Sequence, residues 1–529
     1  MQYPVESFTP AERALLARHV THMDRPVFGL VGLPETVKGA LFARYSRYQG
    51  TIQRLLLDEF AESLPEGQTT WSPDEGERAA KLYETIFLGY GDDSVAQLGG
   101  IHVACEWVSN VMTKVLQRPR LAAYLEQSTR YIAYDAPMNA EGAFRYYRDD
   151  ALGPGYTVAM DELFTIYSQS LPKVQAWAAE RFPAASGESD SAHARATKAK
   201  ALDLLRGLLP AASLSHMGIY ATGQTYEQLI LHLLAHPLPE AQRYGRWILE
   251  AVQAVTPSFV TRIERPDRGG EWIEYFEERA NAGRRWSERL GLDRDDADDA
   301  GPSVRLLHVD GDEDALLSAL LFEATGTGER RTRSALATLS TDERAQLLSD
   351  LVGDRRNRRH RPGRGFEALR YRFEIVSDYG AFRDLQRHRM LTVQWQTLTP
   401  DLGAGVPEEL DEAGVGEDYR RGLQRSREAY DALRAAGQGH AAPYALCLGY
   451  RIRYVLDLNA REAMQLIELR SGREGHPSYR AVAHEMHAQI EAVHPAVAAT
   501  MTYVDRETEP RLERILSELK TQRKIEAAG

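Results

Sequence analysis

Apolar residues recur at spacings of three and four from Leu41 to Phe60 and again from Tyr226 to Ala235, the pattern of helices that bury one face. Val304 to His308 (VRLLH) is a short β-like run, and Asp312 is placed to cap a helix over Ala315 to Phe322. The closing stretch RLERILSELKTQRK mixes charge and apolar positions as an amphipathic helix does. From Asp267 to Pro302 the pattern dissolves into Gly, Arg and a dense acidic run, which reads as a connection after which the chain restarts. A smaller breach, 182–191 (FPAASGESDS), reads as an exposed loop.

The two halves echo each other. Leu116 to Tyr131 (LQRPRLAAYLEQSTRY) and Leu385 to Pro400 (LQRHRMLTVQWQTLTP) both begin Leu-Gln-Arg-x-Arg, with Arg118 and Arg387 269 positions apart. Arg206 to Leu234 is matched by Pro443 to Arg470, with Thr222 and Asn459 in register 237 positions apart. Two diverged copies of one unit account for the preserved order. The expected organisation is a first repeat over 1–266, a linker over 267–302, a second repeat over 303–510 and a terminal helix over 511–529.

Composition narrows the possibilities. The chain has 529 residues, 43% hydrophobic and 26% charged, with ordinary globular proportions and room for more than one domain. No stretch approaches the length of an apolar membrane span, and MQYPVESFTPAER does not open like a secretory leader, so a soluble cytoplasmic protein is expected. Two cysteines, Cys105 and Cys447, supply neither a disulfide framework nor a thiolate metal cage. The net charge of −12 weighs against a general polyanion binder, which leaves the local patch Arg355 to Arg361 as the place for nucleic acid to bind, if anywhere.

Arg387-His388-Arg389 places two permanent cations around an imidazole. Guanidinium forks match phosphate oxygens, whereas an isolated cluster of this kind is more often a solvated basic turn. Glu126, Ser128, Arg130 and Tyr131 combine an acceptor, a hydroxyl, a guanidinium and a phenol. Alternation along an extended segment would put Glu126, Ser128 and Arg130 on one side, a set suited to a nucleotide monophosphate. Asn459, Arg461 and Gln465 lie at the start of a helical pattern, and His476 follows Arg470 in the Gly-rich SGREGHP. His484-Glu485-Met486-His487 has the wrong spacing for a zinc helix, and Asp293 to Asp299 lacks the glycine and terminal glutamate of a calcium loop. No phosphate-loop or dinucleotide fingerprint occurs.

These motifs resemble the flavin-dependent thymidylate synthases, whose signature runs Arg-His-Arg, Asn-Glu-x-Ser-x-Arg-Tyr, Arg-x-x-Leu-Pro, an Asn-x-Arg helix ending in arginine, and a histidine. The chain looks like a tandem duplication of that unit in which the copies have lost different parts. The first keeps Glu126, Ser128, Arg130 and Arg206 but reads Arg118-Pro119-Arg120; the second keeps Arg387, His388, Arg389, Asn459, Arg461, Arg470 and His476 but has Trp395, Thr397 and Pro443 at the complementary places. Glu367 matches a flavin-region glutamate, with Gln97, after Ser94, its counterpart in the first copy.

The resemblance implies an α+β fold, present twice, with a mixed sheet flanked by helices. It implies FAD as cofactor, NADPH and methylenetetrahydrofolate as co-substrates, deoxyuridylate as acceptor and no cysteine nucleophile. By residue, Glu126, Ser128, Arg130, Arg206 and Arg470 would take the nucleotide, with Arg470 stabilising charge on the uracil. Ser94, Glu367, Arg387, His388, Arg389, Asn459, Arg461, Gln465 and His476 would take the flavin, and no metal is implied. One composite site between the repeats, and a homodimer standing in for the family's four-unit assembly, would follow. The alternatives are a binding protein of the same fold without turnover, and nucleic-acid binding through Arg355 to Arg361.

Overall fold

The computed structural model describes residues 3–4, 6–33, 35–45, 47–61, 97, 99–139, 141–185, 188–292 and 301–528. Two four-stranded sheets dominate, and they repeat the same topology. The first contains β1 (Val27–Leu30), β2 (Gly100–Ser109), β3 (Ala122–Glu126) and β4 (Leu214–Thr222) in the order β1-β2-β4-β3. The second contains β5 (Ser303–Asp310), β6 (Arg370–Asp378), β7 (Leu391–Trp395) and β8 (Arg451–Asn459) in the order β5-β6-β8-β7. The α+β class and the tandem unit are therefore present in the fold. The expected mixed pairing is not, because every pairing between these strands is antiparallel.

Local chemistry explains the elements. β8 alternates Arg, Ile, Arg, Tyr, Val, Leu, Asp, Leu, Asn, and the buried positions are Ile452, Tyr454, Leu456 and Leu458, the period of two that lays one strand face on a core. At the end of β4 the Thr222 side chain accepts from the Thr225 N–H and starts the helix Gly223–Leu234; at the end of β8 Asn459 does the same from the Glu462 N–H for Ala460–Arg470. The matched positions of the two repeats are thus matched caps. Asp312 likewise accepts from Ala315 N, opening the Glu313–Leu321 helix. The 41–60 region is not one helix: Glu35–Tyr45 ends, and Thr51 caps a new start at Ile52–Leu55 that runs into a π-turn, Leu56–Phe60.

A bulge in β2 between Cys105 and Val108 puts Trp107 at φ +56°, a left-handed conformation for a bulky residue. Beside it, buried Glu106 accepts from Tyr45 Oη (2.8 Å) and Ile52 N (2.7 Å), tying the early helices to the sheet. Burial pushes its carboxyl up to about 7.

The chain forms two compact units that trade segments. One comprises 1–169, 208–295 and 424–447; the other comprises 170–207, 296–423 and 448–529. Residues 170–207, which a boundary at 266 would assign to the first repeat, therefore sit in the second unit, and 424–447 make the reverse move. In the second unit the Asp190–Leu205 helix is held by the C-terminal segment: Arg514 donates to Asp203 (3.0 Å), Lys200 to Glu513 (2.9 Å), and Ala196 packs with Leu512 and Ile515. In the first unit Tyr444 Oη donates to Glu240 (2.6 Å) and Tyr444 stacks on Tyr147. The 267–302 stretch, expected as linker, carries a 19-residue helix, Glu271–Arg289. No helix among the described residues is long and apolar enough to cross a membrane.

Because Asp203 and Arg514 are both buried, removing one strands the other in low dielectric. Arg514→Met should lower unfolding free energy by about 3–5 kcal/mol in denaturant titration, and pairing it with Asp203→Leu should recover most of the loss.

Candidate functional site

The short helix Tyr379–Leu385 organises the second unit. Asp378 caps it, accepting from Ala381 N (2.8 Å), and its last turn presents Asp384. The buried guanidinium of Arg206, arriving from the first repeat, donates to Asp384 (3.1 Å) and lies 3.9 Å from Asp378. Arg387 approaches the other Asp384 oxygen at 3.7 Å, so one carboxylate bridges the arginines of two repeats. Gly380 makes room for this, since a Cβ there would lie 2.9 Å from Arg206 Nε. Arg206 Nη2, the atom 3.9 Å from Asp378, is buried with no hydrogen-bond partner among the described residues.

Next to it runs a buried chain of three groups. Arg470 Nε donates to His388 Nε2 (3.1 Å), and His388 Nδ1 lies 2.8 Å from Glu462 Oε1. A guanidinium only donates, so Nε2 must accept and the imidazole proton sits on Nδ1, directed at Glu462. The ring is neutral in this arrangement. Burial holds its pKa below the ordinary value, with Arg470 and Arg358 pushing the same way and Glu462 opposing. Arg470 also faces the Tyr479 ring at 5.5 Å and feels the charges of Asp384 and Arg387.

A cavity of about 290 Å³ opens beside Arg206, lined among others by Lys200, Asp203, Asp378, Glu409, Tyr419 and His476. Its carboxylates are compensated: Asp203 by Arg514 and Glu409 by Lys200, at 3.7 Å. His476 Nδ1 accepts from Ser478 N, so its Nε2 carries the proton donated to the Asp203 carbonyl (3.0 Å). The histidine expected at a flavin thus caps the Pro477–Val493 helix and pins the exchanged segment at the cavity wall.

The structure gathers Arg206, Glu367, Arg387, His388, Arg389, Asn459, Arg461, Gln465, Arg470 and His476 in the second unit. Glu367 pairs with Arg364 (3.1 Å) and lies 3.9 Å from Arg461, whose Nε donates to the Pro362 carbonyl. Glu126, Ser128 and Arg130 belong to the first unit and do not share one strand face, because β3 ends at Glu126 and Ser128 accepts from Arg130 N (3.2 Å) in a turn. Glu126 is buried against Lys114 (2.9 Å) and Gln117 (2.8 Å), an ion pair rather than an open acceptor. Ser94 lies outside the described residues, as does the Asp293 to Asp299 run. Arg355, the head of the basic patch, is consumed by Glu468 (2.6 Å) and the Thr500 carbonyl (2.8 Å). Burial pushes the Cys447 thiol up to about 12, and the Cys105 thiol higher still, so neither is a nucleophile at neutral pH.

A family model described as thymidylate synthase complementing protein matches residues 43–258 and 318–496. The chain belongs to this family. Each matched stretch carries one of the two sheets' central strands, so the chain is two thymidylate synthase complementing units in tandem. A UPF0159 protein of Chlamydia muridarum is 34% identical over 514 residues, covering 94% of this chain and 96% of its own. One from Thermoplasma acidophilum is 29% identical over 528 residues, covering 93% and 99%. Among solved structures, a UMP/dUMP methylase, PolB, from Streptomyces cacaoi has a TM-score of 0.32 at 18% identity, covering 40% of this chain and 98% of its own.

Within this thymidylate synthase complementing unit, Asp384, Glu462 and Gly380 were not singled out by the sequence motifs. Asp384 stands one helical turn before Arg387, a spacing that could have flagged an ion pair. Glu462, three residues after the capping Asn459, looks like half of a capping box, and its carboxylate goes instead to His388.

Two outcomes check this geometry. Glu126→Leu should destabilise the protein by about 3–5 kcal/mol, measured by denaturant unfolding, and Lys114→Met added to it should restore most of that. For His388, a folded-state pKa below the unfolded one means the unfolded chain binds more protons as pH falls below about 6.5. His388 therefore contributes a loss of stability between about pH 7 and pH 5, and in melting curves His388→Gln should lose less stability, or gain more, than the wild type across that window. His19, His22, His216, His232, His236, His487 and His494 act in the same direction, and Glu106, raised to about 7, acts in the opposite one.

Proposed function

We propose that this protein methylates deoxyuridylate to thymidylate, taking the one-carbon unit from methylenetetrahydrofolate, with FAD as redox cofactor and NADPH as reductant. The observation that carries this reading is that one residue of the first repeat's set, Arg206, joins the second repeat's set in one unit, where Asp384 links it to Arg387 beside a cavity that His476 also lines, while Glu126, Ser128 and Arg130 stay in the first unit. Segment exchange gives a physical reason for the complementary losses, since the partner segment 424–447 brings Pro443 where Arg206 stands in its counterpart.

The residues fit an anionic ligand. A buried guanidinium nitrogen without a hydrogen-bond partner is costly until an acceptor arrives, and a phosphate oxygen is a suitable one. The cavity has the volume of a small ligand and not of a whole dinucleotide. Arg206 is therefore assigned to the nucleotide phosphate. Arg387, Arg389, Asn459 and Arg461 are assigned to the flavin. When bound, the reduced flavin supplies hydride. The protein's own part is orientation and charge: Arg470, fixed through the neutral His388, supplies a preorganised cation for negative charge developing on the uracil carbonyl.

A second reading, a nucleotide or flavin binder without turnover, draws on the engagement of Glu126 by Lys114, which withdraws one expected nucleotide ligand. Bound yellow flavin with no thymidylate formed would favour it. On the first reading, Arg470→Ala should retain FAD by absorption spectrum while losing roughly 100–1,000-fold in thymidylate formation, the effect of removing one preorganised donor. Wild-type turnover in that variant would remove Arg470 from the chemistry.

A further inference from the structure

Glu462 belongs to none of the sequence motifs, yet its buried carboxylate closes the chain that ends at Arg470. Both residues lie on the helix Ala460–Arg470, Glu462 in its first turn and Arg470 in its last. His388, from the loop after Tyr379–Leu385, bridges them: Nδ1 lies 2.8 Å from Glu462 Oε1, and Nε2 accepts from Arg470 Nε at 3.1 Å. The same helix carries a contrasting pair. Glu468 meets Arg355 directly at 2.6 Å, so that guanidinium is neutralised by its contact. Arg470 meets a neutral ring, and the Glu462 carboxylate stands one imidazole away. Coulomb attraction weakens with separation, so this contact orients the Arg470 cation without neutralising it.

Only one tautomer of His388 does this. With the proton on Nε2, the ring would turn an N–H toward the Nε–H of Arg470, two donors face to face. An acceptor at Nδ1 selects the other form, and Glu462 is that acceptor. The first repeat shows that the fold does not need the chain. Its counterparts of His388, Glu462 and Arg470 are Pro119, Thr225 and Leu233, so all three members are replaced together. The strand order is nevertheless the same, and the helix Gly223–Leu234 starts from a capping oxygen just as Ala460–Arg470 does. Thr225 there serves local structure, donating to the Leu121 carbonyl (3.2 Å), and Leu233 is buried. Three side chains present together in one copy and absent together in the other, on a helix that forms in both, serve a shared task beyond holding the helix.

We propose that Glu462 is a positioning residue for Arg470. Its carboxylate holds the His388 proton on Nδ1, and the bare Nε2 in turn fixes the guanidinium that the uracil carbonyl would meet. The role in turnover rests on the deoxyuridylate reading above; the place of the His388 proton does not.

Nitrogen NMR of the full chain carrying isotope-labelled histidine reads the proton directly, the His388 signals being identified by their loss in His388→Leu. The wild type should show a protonated Nδ1 and a bare Nε2, and Glu462→Leu should move the proton to Nε2. In kinetics, Glu462→Leu should lower kcat for thymidylate formation by roughly 10–100-fold, with KM for deoxyuridylate little changed. In a His388→Leu background the same change should cost less than about threefold, because Glu462 acts only through the ring. Glu462→Gln keeps the shape and carries the test should Glu462→Leu fail to fold by circular dichroism. Its amide can offer the ring either oxygen or N–H, and its rate should fall with the fraction of His388 that its spectrum shows protonated on Nε2. A wild-type ring protonated on Nε2, a tautomer unmoved by Glu462→Leu, or an equal rate loss in the two backgrounds would overturn the positioning role. A wild type that forms no thymidylate would instead overturn the reaction assigned above, and the ring-nitrogen spectra would still decide what holds Arg470.

Discussion

A single carboxylate, Asp384, carries much of the arrangement in the second unit. It sits between Arg206, delivered by the first repeat, and Arg387, delivered by the second. Buried guanidinium is tolerated only with a charged partner and well-aimed acceptors, so this pair constrains where the exchanged segment can lie. Gly380 leaves the space, Asp378 adds a second negative charge at the helix start, and His476 fastens the same segment through the Asp203 carbonyl. The C-terminal residues Glu513 and Arg514 complete the constraint by neutralising Lys200 and Asp203.

Placed beside that pair, the Glu462, His388, Arg470 chain has a defined proton arrangement. The guanidinium fixes Nε2 as acceptor, and the carboxylate takes the proton side of the ring. A protonated ring would present a second donor to Arg470 and break the contact, so the neutral state and the orientation of Arg470 are one property. His388 acts on its neighbour, whatever it touches in a ligand.

The tandem history gives the two units different fates despite identical strand order. At the place where the second unit keeps Asn459, the first has Thr222, and both cap a helix equally well because the cap needs only a side-chain oxygen. At the place where the second unit has Trp395, the first has Glu126, and there the chemistry differs outright: one is an aromatic packed on Phe382, the other an acid locked to Lys114. Backbone roles survived divergence where side-chain roles did not.

The sequence by itself determined the duplication, the α+β class, the cap at Asp312, and the family, because these depend on local pattern and on ordered motifs. It did not determine which segment joins which unit. The exchange of 170–207 and 424–447 is decided by buried pairs such as Asp203 with Arg514, whose members are 311 positions apart and carry no local signal. Likewise Glu126 read as an open nucleotide acceptor, since its spacing from Ser128 and Arg130 cannot reveal that β3 stops there or that Lys114 lies within 2.9 Å. Whether a charged side chain is offered to a ligand or spent on a neighbour is a matter of three-dimensional proximity and burial, and only the tertiary structure supplied it.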